Sequence, residues 1–298
     1  MILPRVLIHR GDHVPAKRPL PPPTTTRELL DRYDVFLLDG HGVLVSSTGA
    51  LPGSAHFLRR IKEMGKQRLL LSNDASRSPV ALIDRYRAIG LELDLKHVLT
   101  SGLLLREYFT GEGLRGKRCI VLGTEDSLTY VTEAGGIIVA PSDESADVVV
   151  LADQDGYPFL DTLNDVVTVL LWRIECGSGT RLILANPDLL YPRDSSAFGV
   201  AAGAVAAMIE ATLVLRDPSG AHRFVPIGKP YAPMFEAAIR RVPGQDRRRI
   251  VMIGDQLETD IVGAVRFGID SVLVLTGIGR LSDLATSDIR PTYTLERL

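Results

Sequence analysis

DVFLLDGHGVLVSS, Asp34–Ser47, is the stretch on which the reading of this chain turns. Val35, Phe36, Leu37 and Leu38 are four apolar residues in a row, which suits a strand covered on both faces within a parallel sheet. The run stops at Asp39, and Gly40, His41 and Gly42 follow. A carboxylate is thereby set at the C-terminal edge of a strand, the edge where open α/β sheets carry ligands. Two glycines so close together allow a sharp turn and a near approach of the backbone. Taken alone the stretch also reads as a strand ending in an Asp-Gly turn; the residues downstream decide between the two.

Outward from that strand, apolar runs and helical periodicities alternate. Strands are predicted at Arg68–Leu71, Val98–Thr100, Cys119–Leu122, Val148–Leu151, Leu182–Leu184, Ile250–Ile253 and Val272–Leu275. Helices are predicted between them, at Gly53–Met64, Pro79–Ile89, about Leu160–Glu175, about Gly199–Glu210 and Asp260–Phe267, with a polar loop over 186–196. Strand–helix alternation implies βαβ units, parallel sheets and an α/β fold. Residues 1–24, ending in a proline run, read as an extended arm.

Composition narrows the class. The chain has 298 residues, 45% of them hydrophobic and 23% charged, the profile of an ordinary globular protein. A formal net charge of −2 provides no general attraction for nucleic acid or acidic membranes. No apolar run approaches the roughly 20 residues that span a bilayer, and no secretory apolar segment opens the chain. Cys119 and Cys176 sit in or beside apolar segments and are expected to be buried free thiols in a reducing, cytoplasmic setting.

The chemistry gathers at strand ends. Asp39 follows the first strand, Ser72 the second, and Gly254-Asp255 the strand Ile250–Ile253, while Gly228-Lys229-Pro230 opens a helix before it. If those strands are neighbours, two carboxylates, a hydroxyl and an ammonium converge. That set suits phosphoryl transfer through an aspartyl-phosphate: a carboxylate attacks phosphorus, Mg²⁺ on oxygen ligands screens the two anions, and the lysine neutralises phosphoryl oxygens. Mg²⁺ takes one or two carboxylates plus water, which Asp39 and Asp255 supply.

DVFLLDGHGVL, LLLSNDAS (Leu69–Ser76), GKP (Gly228–Pro230) and VMIGDQLETDI (Val251–Ile261) resemble, in order, the four motifs of the haloacid dehalogenase (HAD) superfamily. The similarity is to the branch with pyridoxal-phosphate and phosphoglycolate phosphatases, and runs from about Tyr33 to the end of the chain. The resemblance implies a HAD core of residues 25–111 and 225–298 with an α/β cap of 112–224 inserted. It implies that Asp39 is the nucleophile and a Mg²⁺ ligand, that Ser72, Asn73 and Lys229 hold the phosphate, and that Asp255 and Asp260 hold the metal. Tyr191 falls where the cap of this branch contacts substrate. The position of His41 lends the metal a backbone carbonyl.

His41 departs from the pattern, since the branch carries a second aspartate there as acid and base. A histidine with pKa near 6.5 can serve both steps, or it can leave a phosphate-binding or regulatory protein that turns over poorly. The expected function is Mg²⁺-dependent hydrolysis of a small phosphorylated metabolite, with no nucleic-acid or membrane partner and a homodimer among the assemblies allowed. Gly111–Lys117 has P-loop glycine and lysine spacing, but Arg118 stands where Ser or Thr is required, and the stretch precedes a strand instead of following one.

Overall fold

The computed structural model describes residues 19–193, 197–285 and 287–298. Val35–Leu38 (β1) lies inside a parallel sheet. The short hairpin Val45–Ser46 (β2) and Gly49–Ala50 (β3) follows it, then Gln67–Ser72 (β4) and Val98–Thr100 (β5). A second sheet is built from Arg118–Leu122 (β6), Ile137–Ile138 (β7), Val148–Leu151 (β8) and Arg181–Leu184 (β9). Leu190–Pro192 (β10) and Phe198–Val200 (β11) pair antiparallel, and Val225–Pro226 (β12) closes the insertion. The chain then returns through Ile250–Gly254 (β13), Asp270–Val274 (β14) and Tyr293–Leu295 (β15).

The first sheet runs β15-β14-β13-β1-β4-β5 and the second β12-β9-β8-β6-β7, with every named pairing in both parallel. Register sets the site. Leu38 stands opposite Leu70 on β4 and Ile253 on β13, so the residues that follow all three strands emerge at one edge.

Burial explains the apolar runs. Side chains of β1 alternate between the two faces of its sheet: Val35 and Leu37 enter one cluster, Phe36 and Leu38 another. The helix Ser54–Glu63 covers the second cluster with Phe57, Leu58 and Ile61. The first cluster continues through Leu105 and Phe109 of Ser101–Gly111 and Tyr130 and Val131 of Glu125–Glu133 to Val148, Val150 and Ile183 of the second sheet. The far face of that sheet is closed by Phe159–Glu175 and Ala202–Leu213. At about 25 cal/mol per Å² of apolar surface, this continuous packing is the main favourable term holding the sheets together.

Several sequence expectations shift. The stretch read as a polar loop over 186–196 contains β10, whose pairing with β11 moves the alanine-rich helix to Ala202–Leu213. Asp260 is not at a helix start: Leu257–Ile261 is a π-helical turn, and the α-helix is Val262–Phe267. Val225–Pro226, assigned to the core from sequence, pairs with β9 and so extends the second sheet. Cys119 is buried but Cys176 is exposed, because it caps the end of Phe159–Glu175. Most of the arm, residues 1–18, lies outside the described residues. Its last part is extended, with Thr24 donating to the Thr294 carbonyl at 2.9 Å along β15.

Candidate active site

Asp39, Ser72 and Asp255 emerge side by side because β1 lies between β4 and β13. Gly42 shows why glycine is required in the first turn: its φ of 80° is left-handed, and a Cβ there would run into the Asp255 carboxylate. The Thr276 hydroxyl donates to the Gly42 carbonyl at 2.6 Å and pins the same turn.

Lys229 arrives from the loop before Ala232–Arg240 and is buried. Its ammonium donates to Asp39 and, at 2.8 Å, to Asp260 Oδ1. Burial alone would push this ammonium towards neutrality, but the carboxylates of Asp260 and Asp39 outweigh it and hold the pKa above the ordinary lysine range. Asp255 accepts from the Ile278 amide at 2.8 Å through Oδ2, whereas its buried Oδ1 has no partner among the described residues.

Oxygens of Asp39, Asp255 and Asp260 lie within 4.8 Å of one another. Burial, then the charges of Asp39 and Asp260, raise Asp255 well above the usual carboxylate range. Burial pushes Asp260 up to about 6, with Lys229 opposing it. Asp39 is raised by burial against the pull of Lys229. Three carboxylates around one ammonium leave buried negative charge in excess, which a divalent cation would relieve. The orphaned Asp255 Oδ1 and the all-oxygen donor set fit Mg²⁺. The His41 side chain is not in this cluster.

A cleft of about 400 Å³ opens over the site and is lined by Asp39, His41, Ser72, Asn73, Lys229 and Tyr191, every non-metal residue singled out from sequence. They do not all face it in the expected way. The Asn73 amide is occupied by protein: Nδ2 donates to Asp188 Oδ1 at 2.8 Å and to the Lys229 carbonyl at 3.0 Å, and Oδ1 accepts from the Lys229 amide at 2.7 Å. It orients Lys229. Ser72 Oγ accepts from the Asp74 amide at 3.2 Å, which leaves its proton to donate. Tyr191 stands opposite Gly199 across the β10–β11 pair, and its ring covers that glycine at the mouth of the cleft.

His41 is half-buried at the cleft wall, and burial followed by the charge of Arg85 pushes its pKa below the ordinary histidine range. Asp188 was missed in the sequence reading. Burial drives it up to about 6, partly offset by Lys229. Its backbone amide donates to Asn186 Oδ1 at 3.0 Å, an Asx turn that the Asn-Pro-Asp order suggests, but the Asn73 partner lies 115 residues away in sequence.

Comparison with known proteins agrees with this geometry. A haloacid dehalogenase-like hydrolase model matches residues 36–137, and a HAD-hydrolase-like model matches residues 226–298. The structure of a possible sugar phosphatase of the HAD superfamily from Cytophaga hutchinsonii is 32% identical, superposes with a TM-score of 0.81, and is matched over 92% of this chain and 97% of its own.

The chain belongs to the haloacid dehalogenase superfamily.

The acid sugar phosphatase of Staphylococcus aureus is 25% identical over 269 residues, 90% of this chain and 96% of that protein. A 4-nitrophenylphosphatase from Thermotoga maritima is 28% identical, with a TM-score of 0.76 over 90% of this chain and 96% of that one. This HAD protein is therefore an enzyme, a hydrolase of the sugar and nitrophenyl phosphatase type. Among the described residues no helix is long and apolar enough to cross a membrane.

Proposed function

We propose that this HAD enzyme hydrolyses a small phosphomonoester in the cytoplasm, with Asp39 as nucleophile and Asp39, Asp255 and Asp260 as the carboxylates that hold Mg²⁺. The observation that carries the reading is the buried Lys229 ammonium bonded to both Asp39 and Asp260, next to the unpartnered Asp255 oxygen. When bound, Mg²⁺ supplies positive charge to the phosphoryl oxygens.

The residues of the chain do the rest. An Asp39 oxygen attacks phosphorus and the ester oxygen leaves, taking a proton from His41. Lys229 and the Ser72 hydroxyl hold the phosphoryl oxygens. His41, now neutral, takes a proton from the water that cleaves phospho-Asp39 and is ready to act as acid again. The domain division proposed with this reading keeps a core and an inserted cap, with Val225–Pro226 moved from the core to the cap because it pairs with β9.

A second reading, a binding or regulatory protein with little turnover, draws on one observation. The depressed pKa of His41 leaves it neutral at pH 7, which suits the water step but starves the leaving-group step. The two readings differ in an assay. Phosphate release from a metabolite panel is expected with Mg²⁺, lost on chelation and regained when the metal returns; release that persists under chelation, or none from any ester, would refute the proposal.

His41 also sets a pH profile. Alkyl esters need His41 protonated, so their hydrolysis should fall as pH rises through its lowered pKa. Aryl esters have a good leaving group and should fall less. His41→Ala should reduce alkyl-ester turnover about 10²–10⁴-fold, and His41→Asp should restore it. Alkyl turnover that ignores His41→Ala removes the histidine from the mechanism.

A further inference from the structure

Three cations line the cleft beside His41: Lys229, Arg77 and Arg85. Lys229 is fixed by Asp39 and Asp260, and Arg77 pairs with Asp74 at 3.0 Å. Arg85 forms no ion pair and donates no hydrogen bond among the described residues, although it lines the same cleft. It lies on the helix Pro79–Ala88, whose inner face of Leu82, Ile83 and Tyr86 is anchored in the core.

The next residue, Tyr86, gives a second and independent observation. Its side chain is buried, 4% exposed, yet its hydroxyl has no hydrogen-bond partner among the described residues and it lines the cleft beside Asp39. The hydroxyl opens onto the cleft and is left to donate there. The chain even makes room for it: Gly40 has an ordinary backbone conformation, but a Cβ there would collide with the Tyr86 hydroxyl oxygen. A Cβ beside Asp39 would thus displace this phenol from its place at the cleft.

We propose that Arg85 and the Tyr86 hydroxyl form a second anion subsite at the leaving-group end of the cleft, so that the preferred substrate is a phosphomonoester whose alcohol carries another anionic group, a carboxylate or a second phosphate. This rests on the phosphatase reading above. The leaving-group end is assigned because Arg85 lines the cleft together with His41, to which the proposed mechanism gives the ester oxygen. A guanidinium takes either anion bidentately, and the phenol donates to the same group. The cleft is otherwise acidic, with Asp153, Asp155 and Asp188 on its walls, so an anionic tail has one place to settle. A neutral sugar or alkyl tail would leave Arg85 to solvent.

The test uses three esters with one three-carbon skeleton: propyl phosphate, the phosphate ester of 3-hydroxypropionate, and propane-1,3-diol bisphosphate. With Mg²⁺ present, kcat/KM for one or both anionic esters is expected to exceed that for propyl phosphate by about 10- to 100-fold, the worth of a charge-assisted pair. Whether the carboxylate or the bisphosphate wins identifies the source of the charge. The ratio of anionic to propyl ester should fall towards one in Arg85→Met, recover in part in Arg85→Lys, and drop several-fold in Tyr86→Phe. Arg85 is solvent-exposed on its helix, so the fold should survive the change. A wild-type ratio near one, or a ratio that survives Arg85→Met, overturns the subsite while leaving the phosphatase reading intact. If none of the three is hydrolysed, calorimetric binding of the same esters decides the subsite: tighter binding of the anionic pair that Arg85→Met abolishes supports it, and equal binding overturns it.

Discussion

Turnover by the Asp39→Asn protein is expected to fall by at least ~10⁴-fold, with folding unaffected, the scale of loss when a nucleophile is removed from a working site. An amide of the same shape cannot attack phosphorus, but it can still accept the hydrogen bond from Lys229. Stability should change little, because Asp260 keeps its own bond to that ammonium and the crowding of three carboxylates is eased. The measurement is single-turnover phosphate release together with a denaturation curve. Burst-phase phosphate from the variant at the wild-type rate would place the nucleophile elsewhere.

Lys229→Met should lower turnover too and, unlike Asp39→Asn, should also lower stability. Its ammonium is the one cation bonded to Asp39 and Asp260 among the described residues, and all three groups are buried. Breaking a buried ion pair from one side leaves uncompensated charge and typically costs about 3–5 kcal/mol. The phosphoryl oxygens would also lose their neutralising partner. Chemical denaturation should show the loss without Mg²⁺, and added Mg²⁺ should recover part of it by occupying the same negative field. A variant as stable as wild type in chelator would mean that the carboxylates are protonated and the pair contributes little. Asn73→Ala should act more mildly, by loosening the backbone of Lys229 and by leaving Asp188 Oδ1 without this donor.

How far these residues were legible in the sequence differs from one to the next, for physical reasons. Asp39, Ser72 and Asp255 could be read because each ends an uninterrupted apolar run, and such runs are what parallel strands buried on both faces require. Lys229 could be read from its motif, but its full burial could not, since the carboxylates that permit it come from β1 and from the π-helical turn. Asp188 and Tyr86 were not seen. Nothing local to Asp188 marks its burial, and the free hydroxyl of Tyr86 is visible only beside Gly40. The hairpin was not read because β10 fell in the predicted polar loop and most of β11 in the start of the predicted helix; Leu190, Phe198 and Val200 are exposed, so the pair lacks a buried face. Tyr293–Leu295 is a three-residue edge strand, too short for periodicity to register.

The bonds that run from Asp188 through Asn73 to Lys229 and on to Asp39 have a further consequence. Asp188 follows β9 of the second sheet and Lys229 lies in the loop after β12 of that sheet, while Asp39 follows β1 of the first. Asp39 is therefore held in place from outside its own sheet, like a string whose tuning peg sits on a different part of the instrument. Removing the Asp188 carboxylate, as in Asp188→Ala, would therefore loosen Asn73 and with it the placement of the ammonium against Asp39.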